Sequence, residues 1–357
     1  MVPIYYIFFK KQNKEIRCRK NLVIFRFKSQ FLKKYQVKKY TTENYAEWNE
    51  FVAKSKNATF LFHRDFMEYH QDRFEDYSLL VFDDNQQIIA VLPANKVDEM
   101  LFSHQGLTYG GFLLQEKTKL SDCLSIVKSV FEYLDTLGFK KLMVKEIPTI
   151  YNQIPSDELK YLMFLMKGNL IRRDVLSVLD LSNNFTFSRD RKNGIKRGIK
   201  SNLVVKEESN FASFWNEILI PNLSEKHQAK PVHSLEEIQY LHSKFPKNIR
   251  QFNVYQNDKI VAGTTVFETN LVAHSQYISG NSDKNELGSL DFLHDYLISN
   301  VFKDKKYFDF GISNENQGKN INEGLLYWKE SFGARSITQD FYEVNVENHT
   351  LLDNVLL

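Results

Sequence analysis

The chain has 357 residues, 43% of them hydrophobic and 25% charged, with a formal net charge of +3. That length allows about two domains of ordinary size, and the composition is globular rather than fibrous or intrinsically disordered. The only cysteines are Cys18 and Cys123, which excludes a disulfide scaffold or a cysteine zinc site and makes a reducing cytoplasm the expected location.

The apolar run at 2–9 is too short to span a bilayer and has no basic region ahead of it, so it does not read as a signal peptide. Residues 1–35 carry ten Lys or Arg against the single Glu15, a net +9 that leaves −6 on the other 322 residues. The body therefore lacks a global electrostatic footprint for nucleic acid, and no DNA partner is expected. The leader reads either as a peripheral membrane or RNA contact or as a solvated, poorly ordered tail, the commoner fate of like-charge blocks.

A strand is predicted at 37–40, followed by a helix that Thr42 caps and that runs through Phe51 and Val52. Phe62, Phe66, Tyr69 and Phe74 recur at helical spacing as a core stripe. A hairpin turns over Asp84-Asn85, and the glycine-rich stretch SHQGLTYGGFLL follows at 103–114. An amphipathic helix at 120–137, closed by Gly138, leads into the strand LMVKEIP. A boundary falls between 147 and 174, set at 155/156, which gives a leader 1–35 and domains 36–155 and 156–357.

The one basic cluster of the body is SRDRKNGIKRGIKSNLVVK at 188–206. Arg189, Lys192, Lys196 and Lys200 share a helical face, either a phosphate clamp or a solvated surface. Gly194 and Gly198 weaken that helix by roughly 1 kcal/mol each relative to alanine, which invites close packing against a neighbour or ligand. Residues 252–280 then alternate as three strands around an Asn-Asp and a Thr-Asn turn. Leu287, Leu290, Leu293, Leu297 and Val301 mark a helix. The loop SGNSDKNELGS, with Gly288 and Ser289 at its end, brings a helix N-terminus that suits an anion.

Within these elements His274 is a general-base candidate, because an imidazole titrates near neutrality. Gln276 shares its face, with Tyr277 opposite, and each is a candidate cleft residue. Asp309, flanked by Phe308 and Phe310, points away from both, to orient an amine or to fix the sheet end. Lys329, near a helix C-terminus, is by itself a dipole partner.

The order GNSDKNELGSLDFLHDYLI, FDFGIS and GLLYWKESFGA resembles the C-terminal half of the GNAT superfamily of N-acyltransferases. It is most similar to the Fem-type peptidoglycan-bridge aminoacyltransferases and Fem-like acetyltransferase domains. Asp-Phe-Gly at 309–311 and Trp328-Lys329 before Ser-Phe-Gly carry the match. The resemblance implies an α/β fold, mixed in the α+β sense, of two GNAT-like domains, each a mixed sheet flanked by helices, sharing a cleft. It implies N-acyl transfer to the amine of a small-molecule or lipid-linked acceptor such as a sugar, lipid or envelope precursor. No cofactor is tightly bound and no metal is expected; acyl-CoA or an aminoacyl-tRNA is the co-substrate, which makes tRNA a candidate partner.

The resemblance also assigns roles. Lys329, His274 and Asp309 become catalytic candidates, and Arg189, Lys192, Lys196, Lys200, Gly288, Ser289 and Trp328 donor-binding ones. His104, Gln105, Thr108 and Tyr109, in the Tyr-Gly-Gly stretch, would face the acceptor together with Gln276 and Tyr277. The acetyl-CoA users' Gln/Arg-x-x-Gly-x-Gly/Ala cradle is reduced here to Asn285-Glu286-Leu287-Gly288-Ser289-Leu290, which leaves two alternatives, an aminoacyl-tRNA-dependent peptidoglycan-bridge transferase and a non-catalytic ligand-binding GNAT-like protein.

Overall fold

A computed structural model of the chain describes residues 32–356. The expectations for the leader therefore fall almost wholly outside the described residues. Its last residues are fixed to the body, since the Lys33 and Tyr35 amides donate to the Ser125 and Ser129 hydroxyls at 3.2 and 3.0 Å.

Local sequence explains the elements that position the site. In the helix Leu120–Thr136 the apolar side chains Cys123, Leu124, Val127, Val130, Phe131 and Leu134 are all buried, and the chain leaves it through Gly138 at φ +80°. Strands Ile249–Gln256 and Lys259–Glu268 are joined by Asn257-Asp258, both at positive φ, as a two-residue hairpin of this twist requires. Of the aromatic stripe, Phe62 and Phe66 are buried core, Phe66 meeting Phe60, Phe245 and Phe267 ring to ring, Tyr69 packs against that core, and Phe74 is half-buried beside His70 and His104.

The main sheet has eleven strands among the described residues. From one edge they run Val204–Glu208, Ile249–Gln256, Lys259–Glu268, Val272–Gly280, Tyr307–Ile312, Asn169–Asp180, Arg335–Asn345, Lys141–Lys145, Met100–Phe102, Asn95–Val97 and Glu75–Asp76. Neighbours are antiparallel except at two places, Val272–Gly280 with Tyr307–Ile312 and Met100–Phe102 with Lys141–Lys145. Each parallel pair follows a hairpin and is bridged by a helix, Ser289–Tyr296 in one half and Leu120–Thr136 in the other. The molecule is thus two mixed sheets of like topology joined edge to edge, with a four-stranded sheet (Gln36–Lys39, Leu79–Phe82, Ile88–Leu92, Leu113–Leu114) beside the N-terminal one.

Residues on both sides of position 155 share one core. Leu162, Met163 and Met166, with Val344, Val346 and Leu352, share a core with Leu124, Val127 and Phe131 of the N-terminal half. The C-terminal strand Arg335–Asn345 pairs on one side with Asn169–Asp180 and on the other with Lys141–Lys145. Helix Arg189–Lys200 packs on Ser289–Tyr296 through its two glycines. A Cβ on Gly194 would lie 1.7 Å from Asp291 Oδ2, and one on Gly198 2.6 Å from Phe292 Cβ. Close helix contact is therefore what offsets the helix cost of those residues. No helix among the described residues is long and apolar enough to cross a membrane.

Candidate active site

The parallel strands Val272–Gly280 and Tyr307–Ile312 are in register at Val272–Tyr307, Ala273–Phe308 and His274–Asp309, and then separate. A bulge leaves Gln276 without a partner on the other side, where Val266 pairs with Ser275 and Thr265 with Tyr277. The last paired residues, His274 and Asp309, thus stand at the apex of an opening in the sheet.

Asp309 is fully buried. Its Oδ2 accepts from His274 Nδ1 at 2.9 Å and from the Tyr151 hydroxyl at 2.8 Å, and its Oδ1 accepts from the Gly311 amide at 2.7 Å. Burial is the largest single influence and pushes the carboxyl up. The charge and hydrogen bond of His274, with the bonds from Gly311 and Tyr151, outweigh it and hold Asp309 below the usual carboxylate range. An ionised Asp309 is an acceptor only, so Nδ1 of His274 carries the proton and Nε2 is the nitrogen able to take another. Gly311 has φ +71°, and a Cβ there would lie 3.2 Å from His274 Cε1.

Lys329 is buried, and its ammonium donates to the carbonyls of Gly311 and Ile312 at 3.0 and 2.6 Å. Burial lowers it to about 8 against the pull of Asp309. Its two bonds tie the helix Glu323–Glu330 to the end of the strand that carries Asp309. The opening leads into a cavity of about 340 Å³ lined by Thr108, Tyr109, Tyr151, His274, Gln276 and Asp309, with Lys145 and Arg172 on its other wall. Tyr109 and Tyr151 lie with ring centroids 4.7 Å apart, and the Tyr109 hydroxyl meets Thr59 Oγ1 at 3.0 Å.

No protein-family model matches this sequence, and no curated protein matches it either. Solved structures do. FemX superposes with a TM-score of 0.62 at 9% identity, over 85% of this chain and 96% of its own. A conserved protein of unknown function from Bacteroides thetaiotaomicron VPI-5482 gives 0.57 at 11% identity, over 87% and 99%. L-PGS from Bacillus licheniformis gives 0.55 at 13% identity, over 89% and 98%. The chain shares the fold of FemX.

A second, larger cavity of this FemX-like fold, about 780 Å³, opens beyond the bulge at Ile278 and Ser279. Trp328 lines it, as do Arg191, Arg197, Lys284, Asn285 and Asp291. Arg189, Lys192, Lys196 and Lys200 do not: all four are exposed on the outer face of their helix. The inner face is marked by Gly194 and Gly198, and the cations that this helix brings to the cavity, beside Lys284, are Arg191 and Arg197, at positions the three-and-four spacing passed over. Arg191 bonds Asp291, and Trp328 Nε1 donates to the same oxygen at 2.9 Å. Burial raises the Asp291 carboxyl above its ordinary value despite both donors. Gly288, at φ +67°, lies under the Gly194 carbonyl, whose oxygen is 2.1 Å from where a Cβ would be. Ser289 is buried, and its hydroxyl has no partner among the described residues.

The remaining acceptor-side residues divide. Thr108 and Tyr109 line the central cavity, whereas His104 and Gln105 line a third one of about 410 Å³. Gln105 is tied to Asn95 through its amide and its side chain, both at 2.8 Å. His104 is buried at φ +71°, and burial, with neighbouring His70, lowers it to about 3. Tyr277 lies outside these cavities: its hydroxyl meets His233 Nδ1 at 2.6 Å and its ring packs on Trp215. Sequence reasoning missed Tyr151, which comes from the turn Thr149–Tyr151 in the other half. No local motif marks a residue that meets its partner 158 positions later.

Proposed function

We propose that this chain is an N-acyltransferase that moves an acyl group from an activated donor to an amine. The observation that carries this reading is the His274–Asp309 pair at the point where two parallel strands part, lining a cavity that reaches the other half, with a donor-sized cavity farther along the His274 strand at Ile278 and Ser279. The donor carbonyl lies in the opening, polarised by backbone N–H groups freed by the bulge at Gln276. The amine nitrogen attacks the carbonyl carbon, forming the C–N bond. His274 Nε2 takes the amine proton, and the donor's C–S or C–O bond breaks as its heteroatom leaves with a proton. Asp309 holds the imidazole in the tautomer that can do this, and Lys329 and Tyr151 hold Asp309 and its strand. In this reading His274 is the catalytic group and the other three are positioning residues.

The donor in this reading is acyl-CoA, with Arg191 and Arg197 beside its phosphates, and the acceptor is an amine on a sugar, lipid or envelope precursor. One observation favours an aminoacyl-tRNA end instead: the Gly194 carbonyl covers Gly288 in the loop where a pyrophosphate would need open N–H groups. Calorimetric titration of the full chain with acetyl-CoA tests the choice. Saturable one-to-one binding weakened at least tenfold by Arg197→Ala supports the CoA donor. No binding at millimolar ligand refutes it, and binding of an aminoacylated but not an uncharged tRNA would then establish the ester donor.

A further inference from the structure

The N-terminal half repeats the parting of parallel strands without its chemistry. Met100–Phe102 and Lys141–Lys145 are in register at Met100–Lys141, Leu101–Leu142 and Phe102–Met143, and then diverge. Ser103 occupies the divergence, its amide donating to the Met143 carbonyl and its hydroxyl accepting from the Lys145 amide, both at 2.8 Å. Where the C-terminal half ends its register on His274 and Asp309, this half ends on Phe102 and Met143. Neither side chain can move a proton at neutral pH. What the opening keeps is space, the cavity of about 410 Å³ that Phe102, Met143, Ile171, Phe341 and Tyr342 line.

That space adjoins the cleft. Lys145, Arg172 and Phe341 line both cavities, and the Phe341 ring lies under the Arg172 guanidinium at 4.6 Å from its centroid. Arg172 is held in place by a two-point bond to Asp174 at 2.9 and 2.6 Å. A ligand whose apolar part fills the third cavity would pass Phe341 and present its other end toward His274. Polar side chains share the lining: Ser103, Gln105 and Gln317, the cations Lys145 and Arg172, and buried His104, whose Nδ1 has no partner among the described residues. A volume of this size is that of a small-ligand pocket, and Phe102, Met143, Val144, Ile171 and Phe341 give it a contiguous set of apolar side chains beside those polar groups.

We infer that this cavity is the acceptor's specificity pocket and that the acceptor is an amine carried on an apolar body, hydrocarbon or aromatic, rather than a wholly polar amine. The inference rests on the acyltransferase reading for the word acceptor, but the pocket itself can be tested without turnover. The probes are straight-chain alkylamines from butylamine to dodecylamine, titrated calorimetrically into the full chain below their micelle concentrations.

Burial of each further methylene tightens binding by about fourfold until the chain outgrows the pocket. Ile171 is 45% exposed at the mouth, so Ile171→Trp narrows the entrance without disturbing the core. It should weaken dodecylamine at least tenfold and leave butylamine unchanged. Affinity independent of chain length, or an Ile171→Trp protein that binds dodecylamine as the parent does, overturns the inference. Supplying a donor separates the two claims. Length-dependent binding with no acyl product keeps the pocket and removes the acyltransferase reading, whereas equal acylation of every chain length keeps that reading and removes the pocket.

Discussion

Replacing Tyr151 by phenylalanine removes one atom from the middle of the site and leaves its shape intact. The hydroxyl donates at 2.8 Å to a carboxylate with no solvent exposure, while the ring, tilted against Tyr109, is retained. A hydrogen bond to a charged group contributes about 1.5–3 kcal/mol. Because His274 and Gly311 still serve Asp309, the charge is not stranded and the lower half of that range is expected, about 2 kcal/mol. Tyr109→Phe is the internal control: it loses a bond to the neutral Thr59 hydroxyl and should cost about 0.5–1.5 kcal/mol.

The pH dependence sharpens the test. The native carboxyl of Asp309 lies below its unfolded value, so the stability it contributes is present above about pH 4 and is lost only as pH falls through the native value. The Tyr151→Phe deficit, read from urea midpoints of both proteins, should therefore be constant from pH 8 to pH 5. A deficit no larger than that of Tyr109→Phe, or one that changes inside that window, would show that the hydroxyl does not face an ionised Asp309.

Asp309→Asn should lower the acylation rate of any identified substrate by about 10²–10⁴-fold through loss of the base's correct tautomer; unchanged turnover would remove the pair from the mechanism. Lys329→Met takes the donor from two backbone carbonyls and should lower the urea-derived stability by about 2–4 kcal/mol. The native ammonium titrates at about 8 and an unfolded lysine near 10.4. The unfolded chain thus holds more protons between those values, and this lysine's contribution to stability rises with pH there. Comparing parent and Lys329→Met melts at pH 8 and 9.5 should show the variant's deficit growing. At acid pH, burial keeps His70, His104, His233 and His294 neutral at native values of about 4, 3, 4 and 4. Unfolded imidazoles take protons below about 6.5, so each of these histidines should cost about 2 kcal/mol at pH 5. A melting temperature that stayed flat from pH 7 to pH 5 would contradict their burial.

What was legible in the sequence was what is local. The Asn257-Asp258 turn, the helix closed by Gly138 and the strand carrying Asp309 between two phenylalanines follow from turn chemistry and periodicity, and all are present. Periodicity names a face without saying what covers it. That is why the shared face of Arg189, Lys192, Lys196 and Lys200 reads equally as a phosphate clamp or a solvated surface, and in the structure all four are exposed. Alternation in a strand likewise puts Tyr277 opposite His274, but not that His233 and Trp215 wait there. Pairings such as Tyr151 with Asp309, or the C-terminal strand with Lys141–Lys145, depend on how the two halves meet, and nothing in either segment encodes the other's position.

The strand Arg335–Asn345 has a further bearing on how this molecule comes into being. It is made about 190 residues after the strand Lys141–Lys145 that it pairs with and domains ordinarily fold as units while the chain is still being synthesised. Here the first half must wait on the ribosome with an unpaired edge until nearly all of the second has emerged. Contacts of such long sequence separation slow folding and leave a strand edge open to wrong partners. Production of this protein should accordingly depend on chaperones more than its size suggests, and removing the last two dozen residues should cost both halves together rather than one.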